Sequence, residues 1–283
     1  MFISCLLDSL IDTIKLLPFL FITYIIIEYI EHRASVKTIG YMIKADNLGP
    51  LLGGILGVIP QCGFSAAGSN LYAGRVITMG TLLSIYLSTS DEMLPIMISE
   101  RAPLTLILKI LGLKVLIGVV AGFIVDGVMH MLKQPTKIQY RIEHMCEHEH
   151  CGCNEGNNIF VSALIHTLQI TAFILIISFI LNLGIEAIGA QRISQFLSDK
   201  EYLSVFLSGI VGLIPNCAAS VIITELYLEG MLSFGAMMTG LLVGAGVGIL
   251  VLFRANDDAK DSLKVVCILY LVGALTGLAL LLF

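Results

Sequence analysis

"GVIPQCGFSAAG", residues 57 to 68, interrupts an apolar stretch with Pro60, Gln61 and Cys62. Proline removes a backbone donor and opposes helix continuation, so a membrane helix cannot run undisturbed through this point. Residues 212 to 220 read "GLIPNCAAS" and set the same proline–x–cysteine unit in the same kind of surroundings. An offset of 155 positions brings Pro60 onto Pro215, Cys62 onto Cys217, Gly54 onto Gly209 and Gly57 onto Gly212. It also aligns Leu71-Tyr72 with Leu226-Tyr227, Gly80 with Gly235, Lys109 with Lys264, and Gly118 and Gly122 with Gly273 and Gly277. With a shift of one residue, "LIDT" at 10–13 matches "LIHT" at 164–167. A glycine-rich chain supplies some of these matches by chance, but hardly I-P-x-C and L-Y at one offset. The chain therefore reads as an internal duplication: repeat 1 over 1–132, a loop over 133–158, and repeat 2 over 159–283.

Composition places both repeats in a bilayer. Of 283 residues, 57% are hydrophobic and 13% charged, and the mean hydropathy is +0.94, outside the soluble range. Several apolar runs approach the roughly 20 residues that cross a membrane as a helix. Spans are expected near 10–30, 76–99, 104–125, 159–183, 231–253 and 265–283, which makes this an all-α polytopic membrane protein. The start lacks the basic residues and small-residue cleavage site of a signal peptide, so its first apolar run reads as a retained span. The net charge of −5 is local to the loops. No basic stripe or aromatic-basic platform is present, which argues against nucleic acid as a partner. The seven cysteines do not form a secreted disulfide framework. Cys5 and Cys267 lie alone in apolar surroundings, where small hydrophobic packing is expected.

Membrane-embedded repeats are the usual architecture of transporters, with the substrate held where the halves meet. Each repeat reads as a span, a glycine-rich segment broken at I-P-x-C, and two further spans. Residues 46–74 and 201–230 fit either a re-entrant hairpin (a pair of short helices) or one kinked span. An odd number of crossings per repeat makes the halves inverted. With hairpins, ten loop Lys and Arg collect on one face and three on the other; with kinked spans the split is nine to four. The positive-inside rule therefore leans toward inverted repeats with the central loop in the cytoplasm.

Broken backbone at membrane depth is tolerated only where protein or water satisfies the freed polar groups. Half-helices starting after Pro60 and Pro215 would aim free N–H groups at the centre, and the halves before them would offer carbonyls. Gln61, Cys62 and Ser65 in one repeat, and Asn216, Cys217 and Ser220 in the other, are candidate ion ligands at this junction. A thiolate is a soft ligand, whereas amide and hydroxyl oxygens suit harder ions. A single Pro-x-Cys would more often mark a packed kink; two copies in a duplicated unit reverse that weighting. "YLSTSDEMLPIM" puts Asp91 and Glu92 deep in the span that begins at Val76, and buried acids mark an ion pathway or proton relay. Repeat 2 has "VGAGVG" at this place, while Glu225 stands where repeat 1 has Asn70. Both are candidates. The paired glycines 118/122 and 273/277 read as close helix packing.

The loop carries a second group of ligands. "RIEHMCEHEHCGCN", residues 141 to 154, offers His144, Cys146, His148, His150, Cys151 and Cys153 as metal ligands. Imidazole with thiolate suits zinc, cobalt, nickel, copper or cadmium. The spacing matches no closed finger, so a sensor, antenna or delivery arm fits better than a structural site. A solvated polar linker is the bland alternative.

Duplicated halves with I-P-x-C breaks, joined by a His/Cys-rich loop, resemble the ten-transmembrane heavy-metal exporters. Bacterial members of that family are described as manganese transporters or arsenic efflux proteins. The Pro-x-Cys element is also similar to that of the arsenical permeases, although Gly63 and Ala218 follow single cysteines here and the denser permease pattern is absent. By that resemblance Cys62 and Cys217 are substrate-site residues, and each broken segment counts as two short helices, giving ten. The expected function is a secondary active exporter of a heavy-metal, manganese-type or metalloid ion, coupled to protons, in the plasma membrane. No cofactor is required beyond the metal as substrate or as loop ligand. The partners are the ion and the lipid bilayer, with homo-oligomers allowed. No phosphate loop points to ATP hydrolysis. A metal-ion channel is the nearest alternative; an intramembrane hydrolase using Ser65 and His166 is a remoter one, since no nucleophile motif surrounds the serine.

Overall fold

The structure, a computed structural model, describes residues 48–58, 62–90, 93–132, 201–256 and 258–282, with scattered positions between 10 and 25 and between 164 and 180. Repeat 1 supplies α1 (Gly49–Gly57), α2 (Cys62–Ala73), α3 (Met79–Ser88), α4 (Met93–Ser99) and α5 (Leu104–Met131). Repeat 2 supplies α6 (Glu201–Gly212), α7 (Cys217–Leu228), α8 (Phe234–Val243), α9 (Gly248–Ala255) and α10 (Ala259–Leu281). No strand occurs among the described residues. The 155-residue offset read from sequence governs the structure: α2, α3, α4 and α5 begin 155 residues before α7, α8, α9 and α10. Even the turns agree. α2 and α7 both end in a left-handed residue, Arg75 at φ 58° and Gly230 at φ 75°. In each, the amide after that residue donates back to the carbonyl five positions earlier, Val76 to Leu71 and Met231 to Leu226.

The broken segments are re-entrant hairpins. α1 runs alongside α3 in the same direction. A side chain on Gly53 would meet the Thr81 carbonyl at 3.0 Å, and one on Gly57 the Ile85 carbonyl at 2.7 Å. α2 then turns back. Near its start Ser65 meets Gly248, near its middle Ser69 meets Tyr86, and its end joins the start of α3 through five residues. Both limbs thus share one end of α3, while the end of α1 at Gly57 comes against Ser88 at the other. Repeat 2 repeats the path. Ser208 Oγ donates to Ala236 O (2.5 Å) near the start of α8, Ser220 lies at the end of α8 beside Gly244, and Tyr227 returns to ring contact with Phe234.

The repeats are inverted, as contacts at the two ends of α5 decide. α5 is antiparallel to α3, since Asp126 near its C-terminus accepts from Thr78 Oγ1 (2.7 Å) and Gly80 N (2.8 Å) at the start of α3. Near that end Arg75 pairs with Asp261 at the start of α10 (3.3 Å). About 25 Å away along α5, Lys109 lies over the ring of Phe234, the first residue of α8 (5.0 Å). The start of α3 and the start of α8 therefore lie on opposite faces, and the two hairpins enter from opposite sides.

Close helix approach depends on the repeated glycines. A side chain on Gly122 would sit 2.6 Å from Gly80 O, and one on Gly277 would sit 2.6 Å from Gly235 O. These are twin contacts of α5 on α3 and α10 on α8. α5 and α10 turn Leu108, Leu116, Ile124, Leu271 and Leu275 outward, the apolar surface a bilayer covers. Cys267 is exposed on α10 rather than packed as a small core residue, because its register falls on this outer face. The stretch Phe234–Ala255 is apolar and long enough to cross, yet it lies inside the bundle.

Two expected spans are interrupted. Residues 76–99 and 231–253 are not continuous helices: α3 stops at Ser88 before α4 starts at Met93, and α8 stops at Val243 before α9 starts at Gly248. In repeat 1 the hydroxyls of Ser88, Thr89 and Ser90 bond back to Ser84 O (2.6 Å), Ile85 O (2.7 Å) and Ser88 O (3.1 Å). Such bonds compete with the helical ladder, and Pro95 opposes a helix running through the residues before it. In repeat 2 three alternate glycines do the same work, with Gly246 at φ 54°.

Candidate ion site at the helix gaps

Each hairpin reaches the end of the first half-helix of its own repeat, Gly57 against Ser88 in one and Ser220 against Gly244 in the other. Cys62 opens α2 and Cys217 opens α7, each as the first residue of a half-helix. Asn216 caps α7, its side chain accepting from Ala218 N (3.1 Å). Ser220 Oγ lies 3.4 Å from where a side chain on Gly244 would be, so its hydroxyl faces the gap after α8. Ser65 is buried against the start of α9, where a side chain on Gly248 would meet Ser65 O at 3.0 Å. Hairpin 1 thus packs on the second half-helix of repeat 2, and hairpin 2 on α4 of repeat 1. The hairpin helices and the interrupted helices of the two repeats interlock.

A buried polar seam crosses this centre. Ser69 Oγ lies 2.6 Å from Tyr86 Oη and 2.7 Å from both Ser65 O and Gly248 O. Tyr86 Oη also lies 3.1 Å from Gly248 O. Each hydroxyl has one proton: when Ser69 donates to a carbonyl, Tyr86 donates to Ser69 Oγ or to Gly248 O. At the repeat-related place stand Thr224, Leu241 and Met93, which cannot rebuild the seam. The polar contact belongs to one side of the pseudo-symmetry only.

Lys114, which sequence reading passed over, lies at the same centre. It sits mid-way along α5 and is 1% exposed. Its Nζ donates to Thr89 O and to Leu241 O (2.7 Å). Thr89 is the C-terminal cap of α3, and Leu241 lies in the last turn of α8. One side chain therefore ties the ends of both interrupted helices. The signal was available: a lysine inside a 28-residue apolar helix is an intramembrane charge. Counting only loop cations set it aside.

The candidates from sequence fall into three groups. Ser65, Asn70, Asn216 and Ser220 lie on the hairpins, Ser65 and Asn70 fully buried. Glu225 is exposed on α7, next to fully buried Thr224, and is not brought to the gaps. The side chains of Cys62 and Cys217, all of Gln61, Asp91 and Glu92, and the loop ligands His144, Cys146, His148, His150, Cys151 and Cys153 lie outside the described residues. The flanking residues Ser90 and Met93 are each 1% exposed. Among the described residues no three His, Cys, Asp or Glu converge. The polar lining described at the gaps is carbonyl, hydroxyl, amide and one ammonium.

A family model described as "Putative, 10TM heavy-metal exporter" matches residues 1–189 and, a second time, residues 155–283. The double match follows the duplication. No curated protein and no solved structure matches the chain.

Proposed function

Because the chain belongs to this family of 10TM heavy-metal exporters, we propose that it expels a heavy-metal, manganese-type or metalloid ion by alternating access, in exchange for protons. The observation that carries this reading is the opposition of two re-entrant hairpins, entering from opposite faces and ending at two helix gaps. A site where inverted repeats meet is reached from either face by rocking one repeat against the other. Pro60–Cys62 and Pro215–Cys217 supply one soft ligand from each hairpin, while Ser65, Asn216, Ser220 and the freed carbonyls supply hard ones. Asp91 and Glu92, in sequence between buried Ser90 and Met93, are the exchangeable proton carriers. Arg75, Arg254 and Lys260 mark the cytoplasmic face by the positive-inside rule. α5 ends toward that face, so loop 133–158 departs there and its His/Cys tract gathers metal for the site.

The test is metal tolerance and cell metal content in an efflux-deficient host across manganese, zinc, cadmium, cobalt and arsenite. Cys217→Ser is expected to cost at least about tenfold in efflux of a soft ion, and Asp91→Asn as much for a hard one. In vesicles, efflux must proceed against a metal gradient when a proton gradient is imposed. Tolerance to none of these ions counts against export, and flux only down the gradient marks a pore.

A further inference from the structure

Lys114 does not owe its place to packing. Burying an ammonium is costly even after the protein relaxes. The duplication provides a control, because the position 155 residues on is Leu269 in α10, which is 0% exposed. α5 and α10 pack on α3 and α8 through equivalent glycines. An aliphatic side chain therefore fills this position in one repeat, and the other repeat spends a buried charge there. The charge itself must be what is kept.

What the ammonium holds suggests why. Leu241 O would bond the amide of residue 245 in a continuous helix, but Ala245 N donates to Val243 O instead (2.9 Å). Thr89, at ψ 130°, has already left the helix. Among the described residues neither carbonyl has a helical amide partner; each lies at the negative pole of a half-helix, and they come from opposite repeats. Carbonyl oxygens are hard ligands that suit alkali and manganese-type cations. Left bare at this depth, they would each cost free energy.

We propose that Thr89 O and Leu241 O form part of a hard-cation site between the two interrupted helices, and that the ammonium of Lys114 fills it in this conformation as a tethered cation which a free ion must displace. The inference rests on the transport reading and deepens it. With the ammonium seated, α3 and α8 are tied through one side chain of α5. With a free ion seated, the tie is undone while the carbonyls stay satisfied, so the repeats are released only when the site is loaded. Leu269, at the equivalent position of repeat 2, is aliphatic and makes no such tie.

The experiment titrates the full-length protein in nanodiscs, as wild type and as Lys114→Leu, with Mn²⁺, Na⁺ and Cd²⁺ separately. If the ammonium holds the site nine-tenths of the time, its removal tightens apparent binding of Mn²⁺ or Na⁺ by about tenfold, and the ion that tightens is the one that uses the site. Cd²⁺, a soft ion suited to Cys62 and Cys217, is expected to stay unchanged within error. Unchanged affinity for both hard ions overturns the proposal. So does an equal gain for all three, the general field effect of a deleted charge. A second readout uses wild type alone, in case the variant does not fold: reductive dimethylation of Lys114, followed by mass spectrometry. Saturating Mn²⁺ or Na⁺ is expected to raise it about tenfold, whereas a purely structural lysine stays flat. A cation-dependent Lys114 response in a protein that exports no metal would sink the exporter reading and leave this site standing.

Discussion

Ser69 and Tyr86 sit 17 residues apart in sequence and share a hydrogen bond of 2.6 Å in the buried centre. Their common acceptor, Gly248 O, belongs to the other repeat. Sequence inspection finds Ser65 and Ser69 one helical turn apart, but the tyrosine and the distant carbonyl are joined only by the fold. Tyr86→Phe keeps the ring volume and removes the bond to Gly248 O. It is expected to lower stability in detergent by about 1 kcal/mol, read by thermal unfolding. Combined with Ser69→Ala the losses should fall short of additivity by at least about 0.5 kcal/mol, as for residues of one network. Strict additivity would mean the two hydroxyls do not cooperate. Lys114 is the residue-scale lesson in reverse: the charge was visible in the sequence, while its two carbonyl partners, 25 and 127 positions away, were not.

The helical elements show two chemistries producing one interruption. Ser88, Thr89, Ser90 and Pro95 end α3, whereas Gly244, Gly246 and Gly248 end α8, at the same register. The sequences differ so much that comparing them reveals replaced acids sooner than a shared gap, and hydropathy runs straight across both. Apolar spans were legible for that reason; their interruptions were not. Glycines separate packing from propensity on a single helix. A side chain on Gly122 would lie 2.6 Å from Gly80 O and 2.9 Å from Pro50 Cβ, while Gly112 has nothing within 4 Å. Gly122→Ala is expected to destabilise by about 1–3 kcal/mol through overpacking. Gly112→Ala on the same α5 should be neutral or stabilising by up to about 1 kcal/mol. Thermal unfolding of the two variants side by side checks this, and equal effects would contradict the described α5–α3 approach.

At the scale of the whole molecule, inversion follows from which ends touch. Arg75 reaches Asp261 at one face, and Lys109 reaches Phe234 at the other. Single cysteines at Glu100 and at Lys260, both exposed positions, are placed after α4 and at the start of α10. In a background with the native cysteines replaced, a membrane-impermeant maleimide should label them from opposite sides of the membrane. Labelling from one side alone would refute the inverted arrangement. The loop charges anticipated the outcome because basic residues avoid translocation, yet ten against three and nine against four differ too little to choose a hairpin over a kink.

The chain's own letters settled the membrane class, the duplication, its 155-residue register and the two Pro-x-Cys breaks, since apolar length and a repeated proline act locally. Tertiary structure decided the re-entrant path, the gaps within α3–α4 and α8–α9, and the meeting of Lys114 with two freed carbonyls. Those depend on which backbone groups lose their helical partners and what lies within reach of them, a matter of three-dimensional neighbours that residue order does not record.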